Sequence, residues 1–169
     1  WVGADVINIH GGGAYGDKKA ALKRVKRNLK KLSRPVRRRL TFENDDRVYS
    51  PRDLLALCRE EKVPFVYDVH HHRVLRDGLS ETEATAQALA TWDREPLFHV
   101  SSPRDGWQSA HPEFHHDYVN WQDFPDAWRD KDITVDIEAK AKEKAVKKLA
   151  VQLRRYPGRN GKTKKGGRT

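Results

Sequence analysis

Six residues able to bind metal stand at intervals along the chain, each at or just past the end of an apolar run. His10 closes "INIH" and Glu43 closes "LTFE"; Asp68 closes "PFVYD", with His71 three positions on; His99 lies in "FHVSS" and Glu138 in "DIEAK". Mixed imidazole and carboxylate sets suit Zn2+, Mn2+ or Fe2+, whereas Ca2+ and Mg2+ sites favour oxygen alone. The densest stretch is "YDVHHHRV", Tyr67 to Val74. In a continuous strand Asp68 and His70 would share one face, and Val69 and His71 the other. A strand that stops at Asp68 lets a turn bring His71 back beside it, which leaves His70 and His72 as supporting or exposed residues. Each residue alone has an ordinary reading. Glu43 could cap a turn, Glu138 could be a first-turn helix acid, and Asp136 is a rival carboxylate in the same run. Their regular placement carries the joint reading.

The elements that must position these residues alternate between two periods. "ADVINIH", "RRLTFEND", "PFVYDV", "PLFHVSS" and "DITVDIEA" read as strands. Between them "DKKAALKRVKRNLKKLS" puts Leu22, Val25, Leu29 and Leu32 on one helical stripe, and "SPRDLLALCREEK" starts with Ser50 as N-cap and Pro51 at the first helical position. "SETEATAQALATW" opens with Ser80 and Glu83 at capping-box spacing, "NWQDFPDAW" reads as a short helix, and "KEKAVKKLAVQLRR" is a last helix carrying Val146, Leu149 and Leu153. "PRDGWQSAHPEFHHDYV" reads as loop; within it His111, His115, His116 and Asp117 could add a ligand or touch phosphate, and Trp107, like Trp121 beyond it, could stack on a base. Such alternation predicts parallel βα units, either an open doubly wound sheet or part of a (β/α)8 barrel. Ligand-type residues at every strand end favour the barrel, where those ends converge on one face.

The chain has 169 residues and a net charge of +10, enough length for one domain with a real core. Lys18 to Arg39 holds twelve Lys and Arg and no acid, and the last eleven residues add five more cations. Charge of this kind attracts polyanions, nucleic acid first. No apolar run reaches the roughly 20 residues of a membrane span. The single cysteine, Cys58, excludes an internal disulfide and fits a reducing cytoplasm; its helical setting predicts a buried thiol. The chain starts at Trp1 and contains no methionine, which predicts a fragment, with residues 1–157 forming the folded part and 158–169 a disordered basic tail.

In order and spacing, "INIHGGGAYGDK", "LTFENDD", "PFVYDVHHH", "FHVSS", "HHDYV" and "DIEAKAKEKA" resemble the UV damage endonucleases, the UvdE family, over roughly residues 1 to 155. The resemblance implies a TIM barrel of the kind found in endonuclease IV and the xylose-isomerase-like proteins. It implies a divalent metal cluster, Mn2+ first and Zn2+, Co2+ or Mg2+ as alternatives, and nicking of double-stranded DNA 5′ to UV photoproducts by a monomer. Metal ligands carried over by the resemblance are His10, Glu43, Asp68, His71, His99, His115 and Glu138, with Glu43, Asp68 and Glu138 as catalytic carboxylates. Tyr15, Lys18 and Arg104 are the DNA-contact candidates. Departures are His10-Gly11-Gly12 where many relatives have His-Pro-Gly, Leu97 where some carry a modified lysine, and no counterpart to the first barrel strands. The chain therefore reads as the C-terminal half of such an enzyme, inactive by itself. A metal-dependent sugar isomerase or epimerase on the same barrel, and a non-catalytic nucleic-acid-binding remnant, are the rival expectations.

Overall fold

A computed structural model describes residues 3–156; the predicted basic tail lies outside the described residues. Five strands, β1 (Ile7–His10), β2 (Leu40–Glu43), β3 (Phe65–Asp68), β4 (Leu97–Val100) and β5 (Thr134–Ile137), form one sheet in sequence order, with every pair parallel. Each predicted strand is present but trimmed to four residues. The connections carry α1 (Lys18–Leu29), α2 (Arg34–Arg39), α3 (Pro51–Glu61), α4 (Val69–Val74) and α5 (Glu81–Leu89), and α6 (Glu143–Arg155) follows β5.

Strand alternation divides the sheet into two chemically distinct faces. Register pairs Phe42 with Phe65, Tyr67 with Phe98, and Val100 with Ile137, so these side chains share the face covered by helices. There they pack with Leu54, Leu55, Ala84, Ala88 and Leu149 in one core. Full burial of side chains of this size stabilises by about 1.5–3 kcal/mol each. The opposite face carries Thr41, Glu43, Asp68 and His99. Inner strands β2 and β3 are buried throughout, whereas β1 and β5 each pair on one side only and stay partly exposed.

Local signals explain where the helices begin. The backbone N–H and hydroxyl of Ser50 both reach the Asp53 carboxylate, at 3.1 and 3.2 Å. Ser80 and Glu83 exchange the two hydrogen bonds of a capping box, at 2.8 and 3.2 Å. Asp17 caps α1 through Ala20 N–H. Cys58 is buried as predicted, and its thiol is pushed up to about 12 by burial.

Three sequence readings need correcting. "NWQDFPDAW" forms two single 3-10 turns, Trp121–Asp123 and Asp126–Trp128, because Pro125 interrupts the run. Leu32 lies beyond the end of α1 and is exposed, and Val146 on α6 is 48% exposed, leaving Ala145 and Leu149 to bury that helix. The helices α2 and α4 were not anticipated, since six residues are too few to show a period. Among the described residues no helix is long and apolar enough to cross a membrane.

Candidate metal centre

Register brings the strand-end residues together. His10 lies directly beside Glu43, and Asp68 directly beside His99, on adjacent parallel strands. Neighbours in such a ladder point to the same side, so four groups from four strands face one another without any loop having to fold back. His71 arrives differently. β3 stops at Asp68, whose Oδ1 accepts from His71 N–H at 2.8 Å as the N-cap of α4, and this turn returns the imidazole to within 3.5 Å of Asp68 Oδ2. Glu138 follows the last residue of β5, and His115 stands on the long β4–β5 connection, fixed by a bridge with Pro103.

All seven of these residues fall into three overlapping groups whose ligand-type atoms lie within 4.8 Å of one another: His10, Glu43 and His71; His71, His115 and Glu138; Glu43, Asp68, His99 and Glu138. Glu43 Oε1 is 3.5 Å from His71 Nδ1 and 3.2 Å from His99 Nδ1, while Oε2 is 3.8 Å from His10 Nε2. Glu138 Oε1 is 3.1 Å from His99 and Oε2 is 3.7 Å from His115. The rival Asp136 reaches only the far nitrogen of His99, at 3.7 Å, and joins none of the three groups.

The donor set fits divalent cations. Among the described residues Glu43 Oε1, Asp68 Oδ2 and both His99 nitrogens are buried without a hydrogen-bond partner, although oppositely charged atoms stand close by. A buried acceptor left in that condition costs about 1–3 kcal/mol, and several aimed at common points are what cations would satisfy. Charge coupling is strong even without one. Burial alone would raise Glu43, but His71 and His99 hold its carboxyl well below the usual range. Asp68, fully enclosed, is pushed up to about 7 by burial. Burial would lower His71 and His99; Asp68 and Glu43 raise the first to about 10, and Glu138 and Glu43 raise the second to about 11.

Two amides that the sequence reading passed over hold this arrangement. Asn8 donates from Nδ2 to Glu43 Oε2 and stands 3.0 Å from the Thr41 hydroxyl. Asn44 bridges to the Asp68 backbone with both ends of its amide, at 2.8 and 3.0 Å, extending the β2–β3 ladder past the strands. The Asn44 carbonyl lies 3.0 Å from His71 Nδ1; a proton donated there makes Nε2 the nitrogen that would give up its proton to become a ligand. The only sequence signal for either residue is its place next to, or two before, a ligand-type position.

The other histidines belong to none of the three ligand groups. His70 is buried, with Nε2 at 2.8 Å from the Pro112 carbonyl and its ring beside His115 and Trp107. His72 is buried between the Tyr67 hydroxyl, at 2.7 Å, and Asp77, at 3.2 Å; neither residue is exposed, one of the two states expected for them. His111 and His116 are exposed and pair locally with Glu113 and with the Tyr118 backbone. Of the DNA-contact candidates, Lys18 already places its ammonium 2.7 Å from Asp53, Tyr15 is 88% exposed beside Arg24, and Arg104 pairs with Asp105. Gly11 of the glycine loop packs so tightly on Tyr49 that a Cβ would sit 2.6 Å from the ring, and Gly12 turns with φ +77°.

Fold and site together define a class: a parallel α/β protein with a metal-competent cluster at the C-terminal edge of its sheet. The chain belongs to the UV-endonuclease UvdE family, whose model matches residues 3–165. It is 39% identical to a UV DNA damage endonuclease of Bacillus velezensis over 157 residues, covering 88% of this chain and 48% of that protein. A protein of the same name from Bacillus mycoides is 40% identical over 119 residues, covering 68% of this chain and 36% of its own length. The crystal structure of SacUVDE superposes with a TM-score of 0.79 at 28% identity, over 89% of this chain and 51% of that one. The chain thus spans about half, or less, of the length of the relatives it matches.

Proposed function

We propose that the chain forms the C-terminal part of a metal-dependent endonuclease that nicks DNA 5′ to UV photoproducts. The observation that carries this reading is the meeting of seven imidazoles and carboxylates from five successive βα units in three groups with shared corners. His10, Glu43, Asp68, His71, His99, His115 and Glu138 would hold the cations. Glu43 belongs to two groups, with Oε1 toward His71 and His99 and Oε2 toward His10, which suits a bridging carboxylate. Divalent ions held there would supply positive charge to the scissile phosphate and make a nearby water acidic. The imidazole share points to Mn2+, Zn2+ or Co2+ before Mg2+.

The protein's own groups divide the remaining work. Asp68 is enclosed and caps α4, so it orients His71 as well as facing the centre. Glu138 is the most open of the three carboxylates, with 31% of its side chain accessible against 4% for Glu43, so water reaches it first. Its carboxylate would take the proton of an attacking water, through Oε2, the oxygen farther from an imidazole, giving 3′-hydroxyl and 5′-phosphate ends. Tyr15, Arg104 and Lys18 would touch the DNA backbone without reading sequence, the two cations in exchange for Asp105 and Asp53.

The same reading makes the five βα units part of a (β/α)8 barrel. Sequential strand order supports this, since a doubly wound sheet reverses order at a switch point. The test is nicking of UV-irradiated and untreated plasmid by the chain joined to the N-terminal half of a relative. Mn2+-dependent cutting of irradiated plasmid only, lost in Glu43→Gln, is expected. Equal cutting of both plasmids, or full activity in Glu43→Gln, refutes the reading.

A further inference from the structure

Beside the metal centre, on the long β4–β5 connection, lies a second cavity of about 540 Å3 that none of the seven ligand-type residues lines. We propose that it seats one undamaged nucleotide of the strand held at the metal centre, with the base on its aromatic wall and the phosphate on its cations. The choice of nucleic acid as ligand rests on the endonuclease reading; the chemistry of the cavity argues the rest.

Trp107 and Tyr118 supply aromatic surface to the lining, Arg104 and Lys148 supply charge, and Asn120 and Gln152 supply amides. The Lys148 ammonium stands 4.3 Å from the centre of the Tyr118 ring, with no carboxylate partner among the described residues. Aromatic faces with adjacent cations are how proteins hold bases of single strands without reading sequence. The cavity also contains an acid, Asp123, but its charge is already met. One oxygen accepts from Trp107 Nε1 at 2.8 Å, the other from the Ser102 hydroxyl at 2.5 Å, and Arg73 lies 3.6 Å away. Arg104 is in turn paired with Asp105, so the uncompensated charge of the lining is that of Lys148.

Position ties the cavity to the cluster. Pro103 and His115 pair as an antiparallel bridge, and His116 N–H donates to the Ser102 carbonyl at 2.9 Å. Ser102, Pro103 and His116 are cavity walls, so the ladder that fixes ligand-type His115 also forms the edge of the pocket. Trp107 reaches the same region through its ring contact with His70, which in turn touches His115.

The test is fluorescence anisotropy of the whole chain, in EDTA, with a labelled undamaged thymidine oligomer and with an abasic oligomer of the same backbone. The base-bearing oligomer is expected to bind about tenfold tighter, the contribution of stacking a base on an aromatic side chain. Tyr118→Ala removes that preference, Tyr118→Phe keeps it, and Lys148→Gln, on an exposed helix position, weakens both oligomers alike. Glu43→Gln leaves the preference intact, so loss of nicking in that variant and loss of base binding are separate results. Equal binding of the two oligomers, an unchanged preference in Tyr118→Ala, or a preference lost in Glu43→Gln overturns the proposal.

Discussion

His71 and His99 are held as imidazolium ions by the carboxylates around them, up to about pH 10 and 11, and a metal ligand must be a neutral imidazole. Cations bound by these residues would expel protons from both, together with the part of Asp68 that is still protonated near pH 7. The sign follows directly. The metal-free state holds more protons, so affinity rises with pH from 6 to 9 and falls in acid. Calorimetry of Mn2+ binding in buffers of different ionisation enthalpy should show release of about two protons per chain near neutrality; no release would place binding elsewhere. Glu43→Gln removes the carboxylate that faces three imidazoles and is expected to lower bound metal, measured by elemental analysis after dialysis, by at least tenfold, a typical loss on disturbing a site's ligand shell. Asn8→Ala is expected to weaken metal retention less, since it frees Glu43 to move without removing it.

Among the elements, α4 matters most to the site and was the least visible beforehand. Six residues do not form a stable helix by themselves. The "VHHHRV" helix exists because Asp68 caps it, Leu75 N–H closes back on the His71 carbonyl, and Tyr67 with Asp77 hold His72. Capping by Asp68 can be separated from its proposed ligation. Asp68→Asn keeps an oxygen for the cap and removes the charge, so it should lose metal with little loss of metal-free stability; Asp68→Ala should cost about 1 kcal/mol more, read from urea melts. Gly11→Ala would drive a methyl into the Tyr49 ring and should cost about 1–3 kcal/mol, with part recovered when Tyr49 is also made smaller. Helix starts at Ser50 and Ser80 could be read directly from residue types, because a capping box is a local device. Burial of His70 and His72 could not, because it depends on Pro112, Tyr67 and Asp77 arriving from other segments.

Among the described residues the sheet has two open edges. β1 exposes Ile7 and Ile9, at 47% and 40%, on the face that other strands cover with helices, and strand edges of this kind favour pairing with another chain or segment. Cations that tie five βα units together should therefore stabilise the whole chain: at a hundredfold excess over Kd, Mn2+ is expected to add about 2.7 kcal/mol, visible as a higher Tm that EDTA reverses and that Glu43→Gln abolishes. A Tm unmoved by metal would mean that the three groups do not act together. The amino-acid sequence by itself determined that parallel βα units exist and that each carries an imidazole or carboxylate at its strand end, because hydrophobic period and strand length are properties of contiguous residues. Only the tertiary structure decided that His10 stands beside Glu43 and Asp68 beside His99, that Glu138 and not Asp136 joins them, and that an aromatic, cationic cavity lies next to His115. Those are matters of register and of loops meeting across long separations, and no run of neighbouring residues encodes them.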